Sequence, residues 1–554
     1  MRATRRFENE TFDVLVIGGG VTGCGAALDA AARGLKVALV EKRDFAAGTS
    51  SRSSKLIHGG LRYLERLDFK LVREALHERR LLLERLAPHL VHAEPFLFPL
   101  RRPAWDRFIM GSGLMLYDVL AGLHPAVPWH RHLTQATCLR DVPALRASAL
   151  CGGIRYYDAQ VDDARFVVEL ARTAAAHGAV CATAVRATAL LHEGGRVCGA
   201  LLLDEEARRE FELRAEVVLN TTGVWTTETE RLAGLSNPLD VRPSKGIHLV
   251  VPRDRIESAY ALILPTEKSV LFVLPWDEHW IIGTTDTAWS LHLDHPAANS
   301  ADIEYLLDHV NAVLARPLTR ADVVGVYAGL RPLTHANGAE TTKVSREHEV
   351  RRSAPGFVSV AGGKYTTYRV MARDAVDAAA RELGGGVSAS ETAGLPLLGA
   401  LGLPKAARRA AAHPGSAALS SAQLRRLLDR RGSLALEVLD LIAADPELGG
   451  ALHGAESYLA ADVRYAASHE GALHVDDVLT RRTHISFDTR DRGRTAVEQV
   501  ARLMAPVLSW DEATIAREVD HYRARLAAEL EAESMPDDAR ADAIRAKVRD
   551  LRLD

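Results

Sequence analysis

Residues 13–44 read DVLVIGGGVTGCGAALDAAARGLKVALVEKRD, and this stretch decides the fold. Val14–Ile17 is a short apolar, β-branched run. Gly23 to Arg33 is alanine-rich and closed by Gly34, and Val37–Val40 is a second apolar run. The order predicts strand, glycine turn, helix, strand, which is a βαβ unit. Gly18, Gly20 and Gly23 satisfy G-x-G-x-x-G, and Glu41 ends the second strand 18 residues after Gly23. In that setting the helix N-terminus holds a pyrophosphate and the acid takes ribose hydroxyls. The fingerprint specifies a dinucleotide with free adenosine hydroxyls and leaves NAD and FAD both open.

Two later segments favour FAD. Phe357-Val358-Ser359-Val360-Ala361-Gly362-Gly363-Lys364 is a strand running into a Gly-Gly turn, with a helix expected from about Thr366. A helix N-terminus brought close by glycine stabilises the anionic edge of a reduced flavin. Val217-Val218-Leu219-Asn220-Thr221-Thr222-Gly223 is another strand ending in small residues. Gly48-Thr49-Ser50-Ser51-Arg52-Ser53-Ser54-Lys55-Leu56-Ile57-His58-Gly59-Gly60-Leu61-Arg62-Tyr63 follows the βαβ unit and precedes both of these segments. Its hydroxyls can cap a helix or bind phosphate and ribityl oxygens. Gly59-Gly60 lets backbone approach a planar ring, and Arg62 and Tyr63 are expected to start a long helix reaching Pro88.

The motifs SSKLIHGGLRYLE, Lys245-Gly246-Ile247-His248, Gly283-Thr284-Thr285-Asp286, Gly329-Leu330-Arg331-Pro332-Leu333 and Gly362-Gly363-Lys364-Tyr365-Thr366-Thr367-Tyr368-Arg369 follow one another in order. In this order they resemble the FAD-dependent, quinone-linked glycerol-3-phosphate dehydrogenases over roughly residues 12–375. Asp476-Asp477-Val478-Leu479 and Arg481-Arg482-Thr483 are similar to that family's C-terminal domain. Two positions depart from the pattern: Thr221 stands where alanine is frequent, and Ile247 where a small polar residue is usual.

The resemblance implies sn-glycerol 3-phosphate as substrate, with a dianionic phosphate and a secondary alcohol. A phosphate needs several cations or donors, since one arginine leaves an oxygen exposed. Arg62 and Arg331 are the candidates for that clamp, with Tyr63 and Thr366 as further donors and Lys364 as a charge beside the flavin. Removing hydride from C2 also requires a base for the hydroxyl proton. His248 is the first candidate because imidazole titrates near neutrality. His58 is the rival, although its loop suits cofactor contact, and Arg331 could stabilise an alkoxide. The expected cofactor contacts are Gly18, Gly20, Gly23, Glu41, Ser50, Ser51, His58, Gly59, Gly223, Gly362, Gly363, Lys364 and Thr366.

At 554 residues two or three domains are expected. We expect an α/β architecture: a Rossmann-like FAD-binding domain (1–95, 150–240 and 325–385) with an inserted mixed or antiparallel β substrate domain (96–149 and 241–324). Residues 386–404, within a Gly-, Ser- and Pro-rich stretch, read as a linker to an all-α C-terminal domain, 405–554, whose last segment from Met535 is expected to pack loosely. The chain carries 69 Lys+Arg against 72 Asp+Glu, a formal net charge of -3, which argues against nucleic acid as a partner. The five cysteines show no Cys-x-x-Cys spacing and suggest a reducing, cytoplasmic setting. His469 and His474 resemble a zinc motif with one residue too many; positions five apart on a helix lie roughly 140° apart, so no metal is expected. Residues 101–123, RRPAWDRFIMGSGLMLYDVLAGL, could lie at the inner face of the cytoplasmic membrane, near a quinone pool. A homodimer is expected. The competing readings are a glycerophosphate oxidase that reduces oxygen, an amine or amino-acid oxidase, and an FAD-binding scaffold or RNA-modifying flavoprotein.

Overall fold

The computed structural model describes residues 4–61, 64, 68–102, 104–122, 126–266, 270–334 and 348–553. The fingerprint folds as its pattern requires: strand Phe12–Ile17, helix Val21–Ala32, strand Val37–Val40. Phe12–Ile17 lies at the centre of a sheet, parallel to Val37–Val40 on one side and to the end of Arg209–Asn220 on the other. Phe357–Gly362 and Val180–Ala182 extend it in parallel. Strands buried on two faces need continuous apolar runs, and Val14, Leu15 and Val16 are fully buried. Helices Val21–Ala32, Asp163–Ala176 and Tyr368–Glu382 share one core with the face that carries Val14 and Val16.

A second, ten-stranded sheet among the described residues is mainly antiparallel, with one parallel pair between Ala261–Pro265 and Val91–Leu100. Its spine is Val241–Pro252, paired antiparallel with His279–Gly283 and with Gly325–Thr334. Val270–Trp276 pairs antiparallel with His279–Gly283, as an antiparallel substrate domain over 241–324 requires. Helix Ser300–Asn311 covers one face, and Trp105–Ala121 packs Met110 and Leu114 into an apolar cluster with Phe96, Ile154 and Ile263.

Several boundaries differ from expectation. Val91–Leu100, Gly152–Val161 and Gly325–Thr334 hydrogen-bond into the second sheet, not the cofactor sheet. The helix expected from Arg62 begins at Phe69, where the Asp68 carboxylate accepts from the Leu71 N–H as its cap. Arg62 and Tyr63 lie outside the described residues. The Gly-, Ser- and Pro-rich stretch is fastened to the cofactor domain: Ser390 hydrogen-bonds the buried Asp29, and the Gly399 N–H donates to Glu169 at 2.8 Å.

The C-terminal domain is helical with its own core, plus a small hairpin, Ala451–Leu452 with Ala455–Leu459. Its last segment is not loose. Helix Asp538–Arg545 buries Ala541 and Ile544, Asp538 pairs with Lys245 of the second sheet, and buried Arg552 holds Asp477 through both carboxylate oxygens at 2.7 and 2.5 Å. A formally charged tail therefore docks through buried ion pairs. His474 is likewise engaged, by Glu518 at 2.8 Å and Glu206 at 2.9 Å.

Candidate active site

A cavity of about 670 Å³ opens where the carboxyl ends of the parallel strands meet the second sheet. That is where open α/β sheets place ligands. Its cofactor-side wall is built from glycine. Gly18 sits at φ +112°, and a Cβ there would lie 2.7 Å from the Thr221 carbonyl oxygen. At Gly23 a Cβ would lie 1.8 Å from the Gly18 carbonyl oxygen, so only glycine lets the helix approach the strand. Thr221, the departure from the family pattern, donates its hydroxyl to the Ile17 carbonyl at 2.9 Å and fixes the neighbouring strand end.

Ser50 accepts from the Val21 N–H at 3.0 Å, at the first turn of the cradle helix. Glu41 lines the cavity and accepts from the Gly19 and Arg43 N–H groups at 2.7 and 2.9 Å. Gly223, Gly362 and Gly363 line the opposite side at φ +61°, +74° and +87°. This glycine cradle at a helix N-terminus, with an acid at the second strand's end, fits FAD. Gly18, Gly20, Glu41, Gly362 and Gly363 are the residues that would hold it.

The substrate-side wall brings together His248, Arg331, Lys364 and His58, all lining the same cavity. Arg331 donates to the Thr284 hydroxyl at 3.0 Å and the Thr285 carbonyl at 3.1 Å. Gly246 makes room for it, since a Cβ there would lie 2.5 Å from the guanidinium. His248 is buried, with its Nε2 2.9 Å from the Ser54 hydroxyl. Burial, then the charges of Arg331 and Lys55, hold its pKa well below the ordinary histidine value, so the imidazole is neutral. Ile247, the second departure, turns its side chain into the core of the second sheet, so Ser54 supplies the histidine's hydrogen bond.

Four expected residues lie behind the wall instead of on it, Gly23 among them. Thr366 is buried and its hydroxyl accepts from the His58 N–H at 3.1 Å, so it supports the His58 loop. Gly59 packs against helices Phe69–Leu81 and Trp105–Ala121, where a Cβ would meet the Tyr117 hydroxyl at 2.4 Å. Ser51 is buried beside Ser50 and does not face the cavity. Sequence reasoning also passed over Ser54, Arg52 and the buried Lys55–Asp163 pair at 2.5 Å. Arg52 lines the cavity, donates to the Ala328 carbonyl at 3.1 Å, and has its pKa pulled down to about 9 by burial and neighbouring arginines. The polar run Ser50–Lys55 was the available signal.

The family described as "FAD dependent oxidoreductase" matches residues 13–378, and "C-terminal domain of alpha-glycerophosphate oxidase" matches residues 390–515. The chain is 53% identical over 552 residues to glycerol-3-phosphate dehydrogenase 2 of Mycobacterium tuberculosis, covering all of this chain and 94% of that protein. It is 37% identical to the human mitochondrial glycerol-3-phosphate dehydrogenase, over 90% of this chain and 71% of that one. Among solved structures, the glycerol-3-phosphate dehydrogenase of Bacillus halodurans, complexed with FAD, aligns with a TM-score of 0.77 at 30% identity, over 94% of this chain and 95% of that one.

Proposed function

The chain belongs to the FAD-dependent glycerol-3-phosphate dehydrogenases, and from that premise we propose that it oxidises sn-glycerol 3-phosphate to dihydroxyacetone phosphate and passes the electrons to a quinone. The observation that carries this reading is the convergence of His248, Arg331 and Lys364 on the cavity that also holds the glycine cradle. FAD, when bound, supplies the acceptor for the hydride lost from C2. Arg331 and Lys364 provide fixed positive charge for the phosphate and for charge developing on the substrate oxygen. Arg62 and Tyr63, from the same motif, are proposed to complete the phosphate clamp. His248 takes the C2 hydroxyl proton at Nε2, the ring nitrogen beside the cavity-lining Ser54, while Nδ1 is buried with no hydrogen-bond partner among the described residues. Its neutrality leaves a lone pair available across the neutral pH range.

The quinone reading is supported by apolar side chains in the cavity. Phe96, Tyr156, Ile263 and Phe272 line it and belong to the cluster that includes Met110 and Leu114 of helix Trp105–Ala121. The outer face of that helix exposes Trp105, Phe108, Ile109, Met115, Leu116 and Val119, with Phe108 72% exposed. Arg101 and Arg102 stand exposed just before its start. An apolar stripe flanked by arginines suits the surface of an anionic bilayer. Among the described residues no helix is long and apolar enough to cross a membrane, so the attachment proposed is peripheral.

The test is an anaerobic titration with sn-glycerol 3-phosphate, followed at the flavin absorbance near 450 nm, and then reoxidation by a soluble quinone or by oxygen. Bleaching with the phosphate ester and not with glycerol, followed by faster reoxidation with quinone, is expected. Bleaching absent from a yellow, folded protein overturns the substrate, and peroxide-forming turnover as fast as quinone turnover overturns the acceptor.

A further inference from the structure

The imidazole of His248 is held on two sides, by Ser54 of one short turn and by Tyr327, which hydrogen-bonds to that turn. Ser54 meets its Nε2 edge at 2.9 Å. Tyr327 stacks on its face with centroids 4.7 Å apart and planes 15° apart, and the Tyr327 hydroxyl donates to the Ser53 carbonyl at 3.0 Å. Ser53 is in turn fixed by Asp163, which accepts from its N–H at 3.0 Å and its hydroxyl at 2.7 Å. Lys55, fully buried and at φ +56°, closes the turn with its ammonium on the other oxygen of Asp163 at 2.5 Å. A buried ion pair that also binds backbone specifies one geometry. Ser53 and Ser54 of this turn both line the cavity with His248, and it is the Ser54 hydroxyl that meets the imidazole.

We propose that Ser54, pinned by the Lys55–Asp163 pair, is a positioning residue that aims the Nε2 of His248 at the substrate hydroxyl and serves both of its protonation states. A hydroxyl is donor and acceptor in one group. In the free site it donates to the single lone pair of Nε2; as the C2 hydroxyl takes over that lone pair the serine turns its hydrogen away, and once the proton has moved to Nε2 the serine oxygen accepts from the new N–H. No other neutral side chain of that size reverses its role so cheaply, and the oxygen need not move while the proton changes owner. This inference rests on His248 as the base.

The experiment is single-turnover flavin reduction by sn-glycerol 3-phosphate in the holoenzyme for Ser54→Ala, Ser54→Thr, His248→Asn and the Ser54→Ala/His248→Asn pair. Misplacing a base costs roughly 10- to 100-fold. We expect that loss for Ser54→Ala, with FAD content and substrate Kd within about twofold of the native enzyme, and recovery by Ser54→Thr. In the His248→Asn background, Ser54→Ala should cost no more than about twofold further, as for residues acting through one group. Native-like reduction in Ser54→Ala, no recovery by threonine, or an equal loss with and without His248 overturns the proposal. Native-like reduction in His248→Asn instead overturns the base assignment itself. Should Ser54→Ala fail to retain FAD, Ser54→Cys decides in its place: slow reduction supports the role and native-like reduction removes it.

Discussion

Asp44 and Arg482 form a bidentate pair across the boundary between the cofactor and helical domains, with both N–O distances 2.7 Å and both side chains out of solvent. Arg481 adds a third bond to Asp44 at 2.6 Å. Asp44 follows Glu41 by three residues, so the helical domain grips the loop that carries the acid of the cofactor cradle. The Arg-Arg-Thr motif thus has a structural role beside the loop that follows Glu41. Removing one member of a buried pair strands the other and costs about 3–5 kcal/mol. Arg482→Met is expected to unfold at markedly lower urea than the native holoenzyme and to release flavin at the same midpoint. Flavin fluorescence during urea unfolding checks this, and an unchanged midpoint would show the contact to be incidental.

Arg331→Ala should act on substrate and spare the cofactor. The guanidinium donates to Thr284 and Thr285 and pairs with Asp286 at 3.5 Å, all beside the second sheet. Losing charge-assisted hydrogen bonds to a phosphate costs about 1.5–3 kcal/mol, or roughly 10- to 150-fold in substrate affinity. Anaerobic titration of flavin absorbance measures that Kd directly. A variant that binds substrate normally would remove Arg331 from the phosphate site.

His474 predicts an alkaline loss of stability. Burial and Arg552 oppose its charge, but the hydrogen bonds it donates to Glu206 and Glu518 prevail and lift its pKa to about 9. The folded state therefore holds a proton more tightly than the unfolded chain. The stabilisation is complete below the ordinary value of 6.5 and is lost as pH rises through about 9. Its size is roughly 3 kcal/mol. Thermal unfolding of native enzyme and His474→Gln between pH 6 and about 10 should show two curves that converge at the alkaline end. Parallel curves would mean that the proton is not held.

The cofactor half of the site is legible in sequence because glycine encodes backbone geometry directly. Gly18 and Gly23 are required by contacts of 2.7 and 1.8 Å that any Cβ would make, and those contacts lie within or beside one βαβ unit. The substrate half is written in pairing. His248 and Arg331 meet because Val241–Pro252 and Gly325–Thr334 run antiparallel with Ser244 opposite Arg331 and Tyr327 opposite His248. No local pattern announces that register, and only the order of motifs joined the two residues. Ser54 and Asp163 are harder still, since a hydroxyl and an acid on separate elements carry no periodicity. The tail after Met535, expected to pack loosely, was misread for a related reason. Composition reports solubility, while Arg552 on Asp477 is a tertiary ion pair.

Helix Trp105–Ala121 gives the prediction on which the acceptor reading turns. Its exposed apolar residues, Trp105, Phe108 and Ile109 and then Met115, Leu116 and Val119, are related by spacings of three, four and seven, so they form one stripe, while Leu114 and Tyr117 face inward. Phe108 sits mid-stripe and contributes little to the core at 72% exposure. Phe108→Asp should therefore fold, bind FAD and be reduced by substrate like the native enzyme. A carboxylate in place of an apolar ring at an anionic bilayer removes buried area and adds repulsion, so association with vesicles containing anionic lipid should fall at least roughly tenfold. Turnover with a vesicle-borne quinone should fall with it, while turnover with a water-soluble quinone stays unchanged. Loss of activity with both acceptors would place the effect on the cavity, and vesicle binding that survives the substitution would take this helix out of the membrane contact.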